Sequence, residues 1–212
     1  MVNEDPSAIS VALRNQVVIT DAQFDVVFPA SHRFRSYAHW TPVDVAVRAC
    51  ALLAPRPGQR VLDVGSGVGK LCLVGALTTR ATWVGVETES QMIRVAERAA
   101  RRLRVEHHVQ FVHGDAAALD WSAFDAIYMF NPFAEGLLRS DEHPASRHAR
   151  FARNIERARQ QLRSTLPGTR LVTYHGFGGE MPEGFDFVHR ETARQDRLCL
   201  WIRRSEPDGA HP

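Results

Sequence analysis

Short apolar runs alternate with longer segments of periodic apolar residues between residues 60 and 203. The short runs predict strands, and the longer segments, whose apolar residues recur every three or four positions, predict helices that bury one face. Strands are predicted at 60–64, 82–87, 109–113, 124–130, 169–174, 185–191 and 197–203, and helices at 70–79, 90–104 and 148–166. Alternating strands and helices are typical of a parallel sheet with crossover helices. The short polar link between the last two strands predicts an antiparallel pair at the edge of that sheet.

The chain upstream of this pattern contains one more predicted helix. It covers residues 42–53, with Thr41 as the N-cap and Pro42 in the first turn, and a link rich in proline separates it from the first strand. We therefore predict three parts: an N-terminal extension over residues 1–40, an α/β domain over residues 41–204 and a disordered tail over residues 205–212.

The first strand runs into a glycine-rich turn, with the sequence DVGSGVGK over residues 63–70. Closely spaced glycines between a strand and a helix let a ligand approach the backbone where a side chain would clash. A P-loop would need glycine at position 64 and serine or threonine at position 71, but the chain has Val64 and Leu71. The dinucleotide fingerprint spaces its glycines as G-x-G-x-x-G, whereas this turn has them at positions 65, 67 and 69. Neither of these two loops fits the spacing.

Acidic residues mark the ends of the first three strands. Asp63 precedes the first glycine by two residues, where it would face a pyrophosphate poorly but could accept hydrogen bonds from an ammonium group. Glu87 ends the second strand, where a carboxylate can accept both ribose hydroxyls of an adenosine. Asp115 follows the third strand, where it could accept from the exocyclic amine of adenine. Each acid alone would equally suit a loop or a helix cap, but their joint order favours a zwitterionic ligand such as S-adenosylmethionine.

In this order of glycine turn and acids the chain resembles the class I S-adenosylmethionine-dependent methyltransferases, over about residues 41 to 203. The resemblance implies a Rossmann-like, seven-stranded α/β sheet, mostly parallel with an antiparallel last strand and with helices on both faces. It implies S-adenosylmethionine as the cofactor, with the first two glycines of the turn against its methionine and ribose. The cofactor site assigned to the strand ends consists of Asp63, Gly65, Ser66, Gly67, Glu87, Thr88, Asp115 and Ala116. No metal is expected, because the ten histidines form no cluster with zinc spacing.

The fourth strand ends in the segment Asn131-Pro132-Phe133, at the level of the expected methyl group. This segment is similar to the Asn-Pro-Pro-aromatic loop of amino-methylating enzymes, although it lacks the second proline. It also resembles the Asn-Asn-Phe segment of the disruptor-of-telomeric-silencing lysine methyltransferases. Asn131 is therefore a candidate for contacting the cofactor and orienting an acceptor amine, and Phe133 for a wall of the acceptor pocket. The alternative is a strand-ending turn with Phe133 in the core.

His175, after the fifth strand, is a candidate base, with a surface role as its alternative.

A segment rich in aromatic and cationic residues, 31–42, leads into the helix predicted before the first strand. One interpretation is a lid that folds over the cofactor, with Tyr37, Trp40 and Thr41 facing its methionine end. The other is a strap whose aromatic residues pack on the sheet. The sequence does not distinguish between the two.

Charge and hydropathy restrict the expected partners. The formal net charge of +2 gives no basis for a nucleic-acid or anionic-membrane partner. Seven arginines between positions 139 and 163 could receive an acidic or nucleic-acid substrate, but alternating charge along a helix is usually a solvated face, which is the preferred interpretation. The chain contains no apolar run of about 18 residues, and its first ten residues lack the apolar stretch of a secretory signal. Three widely separated cysteines predict buried thiols in a reducing cytoplasm.

The predicted function is transfer of a methyl group from S-adenosylmethionine to an acceptor that is either a protein or a small molecule. An amine, on a protein lysine or elsewhere, is preferred to a hydroxyl or carbon acceptor. Direct displacement at a sulfonium carbon needs alignment and exclusion of water, and no nucleophile from the enzyme. Two rival interpretations use the same fold: a non-catalytic module that binds S-adenosylmethionine, and an aminopropyl transferase. The second would need carboxylates to hold a polyamine, and residues 131–133 supply none.

Overall fold

Seven strands form one sheet in the computed structural model, which describes residues 5–134, 137 and 143–205. The strands are β1 (Arg60–Val64), β2 (Thr82–Glu87), β3 (Val109–His113), β4 (Ala126–Phe130), β5 (Arg170–Tyr174), β6 (Phe185–Ala193) and β7 (Asp196–Arg203). Their order across the sheet is β3-β2-β1-β4-β5-β7-β6. β1 to β5 are parallel, and β7 is antiparallel to both β5 and β6. The predicted Rossmann-like sheet with an antiparallel pair at its edge is confirmed.

Helices cover both faces of this sheet. In chain order they are α1 (Pro6–Arg14), α2 (Asp21–Phe24), α3 (Ala30–Arg33), α4 (Ser36–His39), α5 (Val43–Leu53), α6 (Lys70–Thr78), α7 (Ser90–Leu103) and α8 (Pro144–Arg163), with short 3₁₀ turns at Asp25–Val27, Ala116–Ala118 and Trp121–Ala123. On one face α5, α6 and α7 bury their apolar residues against the strands, and α1 packs on α6 and α7. On the other face α8 packs through Ala158 and Leu162 against residues of β1, β4 and β5.

The start of α5 differs from the prediction. Pro42 rather than Thr41 is the residue that precedes the first helical turn, and no side chain of the N-cap residue bonds the helix. The Val43 amide instead donates to Asp21 Oδ1 at 2.8 Å. The predicted N-cap role of Thr41 is therefore wrong, because a carboxylate 22 positions upstream in the chain takes that role through the tertiary structure.

A buried ammonium group links the N-terminal extension to the helix that follows the glycine turn. Lys70, the first residue of α6, has a side chain only 2% exposed, and its Nζ lies 2.7 Å from Asp21 Oδ1 and 2.7 Å from Asp25 Oδ1. Ser36 accepts a longer hydrogen bond from the same ammonium at 3.3 Å. Because buried charges need partners, these contacts hold α2, the following 3₁₀ turn and α4 beside the glycine-rich turn.

Two predicted properties concern the cysteines and the tail. Cys50, Cys72 and Cys199 are all free thiols; the first two are buried and the third is partly exposed. Ser205 is described, and the rest of the tail predicted to be disordered, 206–212, lies outside the described residues.

In the part of the chain that the structure describes, no helix has the length and apolar character needed to cross a membrane.

Candidate cofactor and acceptor site

The carboxyl ends of β1 to β5 meet at one edge of the sheet, as parallel strands must. The glycine-rich turn follows β1, Glu87 ends β2, and Asp115 lies two residues beyond β3. Asn131 and His175 are the first residues after β4 and β5, at the same edge. The fold therefore brings the three predicted acids and the predicted acceptor loop, residues 131–133, to a single rim, with the glycine turn between them.

The three glycines of the turn have different tasks. Gly65 has φ +74°, and a Cβ atom there would lie 3.0 Å from Cβ of Pro132, so the acceptor loop presses directly on the turn. Gly67 also has positive φ, but a Cβ at that position would meet nothing within 4 Å. Gly69 is packed, since its Cβ would lie 2.4 Å from the Phe111 ring of β3. The open space over Gly67 is where a ligand can contact the backbone.

Glu87 is joined to the glycine turn. Its Oε2 accepts a hydrogen bond from the Gly67 amide at 3.0 Å, while its Oε1 accepts from the amide of Glu89 at 2.9 Å and from the hydroxyl of Thr88 at 3.1 Å. The carboxylate is thus held at the rim of the open space over Gly67, oriented by three donors. The predicted binding of ribose hydroxyls by this carboxylate stays a prediction.

Asp63 lies on β1, below the turn, and is almost completely buried at 4% exposure. Burial raises its pKa to about 7, partly opposed by a hydrogen bond from the Cys72 thiol, and the negative charge of Glu87 adds to the rise. The Cys72 Sγ to Asp63 Oδ2 distance is 3.5 Å. A carboxyl with so few donors around it is poised to accept from a cationic group.

Asp115 contacts helix α8, which the sequence analysis did not relate to it. One carboxylate oxygen caps the Ala117 amide at 2.9 Å, and the other lies 2.5 Å from Nη1 of Arg157 on α8. Ala116 begins the 3₁₀ turn that follows, and its carbonyl accepts from the Trp121 indole at 2.9 Å. If Asp115 and Ala116 contact adenine as predicted, the Asp115 carboxylate would therefore bind both adenine and Arg157.

Ser66 and Thr88, the remaining residues assigned to the strand ends, lie beside the glycine turn. The Ser66 amide donates to the Val86 carbonyl at 3.0 Å, and its hydroxyl is buried without a hydrogen-bond partner among the described residues. A buried hydroxyl without a partner is uncommon and indicates a missing ligand or water. The Thr88 side chain is exposed and bonded to Glu87.

The 31–42 segment approaches the site from the side of α5 and α6. Trp40 is buried against Phe28, with the ring centroids 4.9 Å apart, and the Lys70 ammonium lies 5.9 Å from its ring. The Thr41 hydroxyl bonds that of Tyr128 on β4 at 2.8 Å, and both side chains are buried. The side chain of Tyr37 lies outside the described residues. Trp40 therefore packs within the extension and Thr41 bonds the sheet; the lid role of both residues, and their contact with the cofactor, stay predictions.

The acceptor loop has an unusual backbone at Asn131. This residue has φ +40°, and its amide donates to the Gly176 carbonyl at 3.0 Å. Its side-chain amide is partly exposed and makes no hydrogen bond with any described residue, so it is available to a ligand. Phe133 is half-buried and packs against the core on the α8 side, as the alternative to a pocket wall predicts. Its role toward an acceptor stays a prediction.

His175 lies next to Asn131 and has an acid partner. Its Nδ1 is bonded to the Asp196 carboxylate, which comes from the first residue of β7. Its ring stacks on Phe130 with centroids 5.1 Å apart and an interplanar angle of 22°. Sequence reasoning missed Asp196, Arg157 and Tyr128, because nothing in the spacing of the chain relates them to the residues they contact.

Comparisons with known proteins agree with this geometry. Residues 61–154, from β1 into α8, match a family profile described as a methyltransferase domain. The uncharacterised protein YjhP of Escherichia coli K12 is 38% identical over 66 residues, a segment that covers 31% of this chain and only 27% of that relative.

Two solved structures show the same fold at low sequence identity. A protein of Klebsiella pneumoniae provisionally assigned as an O-methyltransferase is 16% identical, with a TM-score of 0.61 over 94% of this chain and 97% of the other. An RNA methyltransferase of Salinibacter ruber, in complex with S-adenosyl-L-homocysteine, is 21% identical, with a TM-score of 0.57 over 81% of this chain and 99% of the other. The fold is thus that of Rossmann-like methyltransferases.

Proposed function

We propose that this protein is an S-adenosylmethionine-dependent methyltransferase. The observation that carries the proposal is the glycine turn, where open space over Gly67 is bordered by the Glu87 carboxylate and backed by the buried Asp63. A nucleoside with an ammonium group at one end and ribose hydroxyls in the middle fits these two acids. The family match over residues 61–154 supports the same reading.

Different residues of the chain would bind different parts of the cofactor. Glu87 binds the ribose, Asp63 accepts from the amino group, and Asp115 with Ala116 lies at the adenine end of the rim. S-adenosylmethionine supplies a methyl group on a positively charged sulfur, which needs no nucleophile from the protein. Pro132 approaches Gly65 so closely that a side chain there would collide with it, so the acceptor loop adjoins the turn. Alignment of acceptor and methyl group is the main contribution that a protein can make to a direct displacement.

Calorimetry with S-adenosylhomocysteine tests the cofactor assignment. The product contains the same ribose and amino acid, so the intact protein should bind it. Glu87→Gln keeps the size of the side chain and removes its charge, and it should weaken binding by about 1–3 kcal/mol, the scale of hydrogen bonds to a charged group. Glu97→Gln, on the helix that follows β2, is the matched control and should leave the affinity unchanged. Equal affinity in the wild type and in Glu87→Gln would show that Glu87 does not bind the cofactor.

For the acceptor, we propose a nitrogen or oxygen nucleophile, with an amine preferred. The support is Asn131, whose side-chain oxygen is free to accept from an amine and whose left-handed backbone fixes its direction. Oxygen is kept as the second candidate because the structural neighbour that covers 94% of this chain is provisionally an O-methyltransferase. A similarity to the lysine methyltransferases named above rests on the asparagine loop alone and stays part of this proposal.

Transfer of labelled methyl from S-adenosylmethionine to fractions of a cell extract identifies the acceptor, with protein and small-molecule label separated. Asn131→Gly then tests the loop, since glycine accepts the positive φ and only the amide is lost. Turnover should fall at least about tenfold, or about 1.4 kcal/mol of barrier, while the affinity for S-adenosylhomocysteine stays within about threefold. Full turnover in Asn131→Gly would show that the loop only shapes the turn.

A further inference from the structure

Two residues with strained backbones lie side by side at the acceptor end of the rim. Phe130 and Tyr174 are partners in the parallel pairing of β4 and β5, so the next residues, Asn131 and His175, are neighbours. Both have positive φ, +40° for Asn131 and +58° for His175. Left-handed residues other than glycine cost free energy, and they persist where the surrounding structure fixes them, often at functional sites.

The imidazole of His175 is fixed by contacts on two sides. Its Nδ1 is bonded to Asp196, and its ring stacks on Phe130. Asp196 is itself oriented, because one of its oxygens accepts from the Arg197 amide at 2.6 Å. A carboxylate at Nδ1 selects the tautomer with the proton on Nδ1, which leaves Nε2 unprotonated and able to accept. Nε2 makes no hydrogen bond with any described residue.

We propose that His175 is the general base of the methyl transfer and that Asp196 positions it. This inference rests on the proposed function. The acceptor's lone pair forms the new bond to the methyl carbon, and the carbon–sulfur bond breaks with its electron pair going to sulfur, which becomes the neutral thioether of S-adenosylhomocysteine. Nε2 of His175 takes the proton that the acceptor heteroatom loses, and the imidazolium, stabilised by Asp196, releases it to solvent.

The proposal restricts the substrate to acceptors that carry a removable proton on oxygen or nitrogen. A hydroxyl, or an amine that arrives as its ammonium, would use the base, whereas an acceptor without such a proton would not. Asn131 orients the acceptor and the adjacent His175 removes the proton, so the two strand ends have separate tasks. The stacked Phe130 ring excludes water on one side of the imidazole.

The tautomer of His175 tests the proposal without any turnover. In ¹⁵N-labelled protein saturated with S-adenosylhomocysteine, long-range ¹H–¹⁵N correlation spectra should show neutral His175 protonated at Nδ1 only. Asp196→Asn should change this tautomer balance, because the amide no longer selects a proton on Nδ1. His175→Asn identifies the signal by its loss. A neutral His175 protonated at Nε2 in the wild type would overturn the proposal, since that nitrogen could not accept.

Turnover with the acceptor fraction gives the second test. His175→Asn tolerates the positive φ and keeps a donor toward Asp196, yet has no atom in the place of Nε2. It should lower turnover at least about tenfold with unchanged affinity for S-adenosylhomocysteine. His189, which lies 3.6 Å from Glu191 on the edge strand, provides the matched control, and His189→Asn should be unaffected.

The pH profile separates a base from a structural residue. With S-adenosylmethionine saturating at every pH, so that affinity does not limit the rate, wild-type turnover should fall as the pH is lowered, and His175→Asn should lack this fall. Asp196 bonds the imidazole and the Tyr174 ring packs edge-on against it with centroids 4.6 Å apart. Arg194 at the β6–β7 turn, and Asp44 with Arg48 on α5, are the further charged groups that act on Tyr174. If His175→Asn keeps its turnover, the assignment of His175 as the general base is wrong and the proposed function still stands. If the wild type neither binds S-adenosylhomocysteine nor forms it, the proposed function itself is wrong.

Discussion

At the scale of single residues, the candidate site depends on a few carboxylates in very different surroundings. Glu87 is held by three donors at the rim, Asp115 is half-exposed and paired with Arg157, and Asp63 is buried with a thiol as its hydrogen-bond partner. Burial disfavours the charged form of a carboxyl, and Asp63 is the buried one of the three. Of these residues, Asp63 is the one whose charge is most sensitive near neutral pH.

The affinity for S-adenosylhomocysteine should depend on pH through Asp63. Burial raises the pKa of this carboxyl to about 7 in the free protein, and a bound ammonium would lower it. Below about pH 7 the free protein therefore carries a proton that the complex does not, binding releases that proton, and the affinity rises with pH. From pH 6 to pH 7 the rise should be about fivefold.

Calorimetry at the two pH values, repeated in buffers of different ionisation enthalpy, measures both the affinity and the released proton. Asp63→Asn has the same shape and cannot titrate, so its affinity should be weaker and nearly constant over this range. An equal pH dependence in Asp63→Asn would assign the proton to another group and remove Asp63 from the amino-group site.

At the scale of secondary-structure elements, the packing of α6 on β2 explains a glycine in the middle of a buried helix. A Cβ atom at Gly75 would lie 2.1 Å from the Trp83 ring, which is itself fully buried. The Trp83 indole donates to the Thr79 hydroxyl at 3.2 Å, which fixes the ring against the helix. Helix and strand approach each other closely because the helix has no side chain at this point, and α6 begins at the end of the glycine turn.

We expect Gly75→Ala to destabilise the protein, although alanine usually favours helices by about 0.5–1 kcal/mol. Forcing a methyl group into a packed, rigid ring should cost about 1–3 kcal/mol more than that gain, so the free energy of unfolding falls. Urea unfolding followed by circular dichroism measures the change. Gly114→Ala is the control, because a Cβ there meets nothing within 4 Å. A variant at position 75 as stable as the wild type would mean that the Trp83 ring moves freely.

At the scale of the whole molecule, the buried cation of Lys70 links the N-terminal extension to α6, the helix that follows the glycine turn. Lys70 is the only lysine of the chain, which has 25 arginines. It pairs with Asp21 and Asp25, and Arg194 from the β6–β7 turn also contacts Asp21, at 2.8 Å. The extension, the glycine turn and the hairpin that carries Asp196 thus meet around one cluster of charges beside the site.

Lys70→Met should lower the free energy of unfolding by about 3–5 kcal/mol, because it leaves two carboxylates without their buried cation. Thermal and urea unfolding measure the loss. Arg101→Met, on the exposed side of α7, is the control and should change stability by no more than about 0.5 kcal/mol. Adding Asp21→Asn and Asp25→Asn to Lys70→Met should restore part of the stability; no recovery would mean that the packing of the lysine stem, not its charge, holds the extension.

The sequence by itself determined the alternation of strands and helices and the order of chemical groups along them. β1, β2 and β3 have the predicted bounds, because a short apolar run between polar turn residues marks where a buried strand begins and ends. The glycine spacing and the acids at 63, 87 and 115 were also readable, since a strand end is a local feature and all parallel strands end at one edge. Local periodicity and turn chemistry suffice for such features.

Only the tertiary structure decided which distant groups meet. Asp21 rather than Thr41 caps α5, Arg157 pairs with Asp115, and Asp196 orients His175. These contacts join residues 22, 42 and 21 positions apart, and the chain folds them together through helix and strand packing that leaves no periodic trace in the sequence. Charged partners satisfy one another wherever the fold brings them, so their identity follows from three-dimensional proximity and not from spacing along the chain.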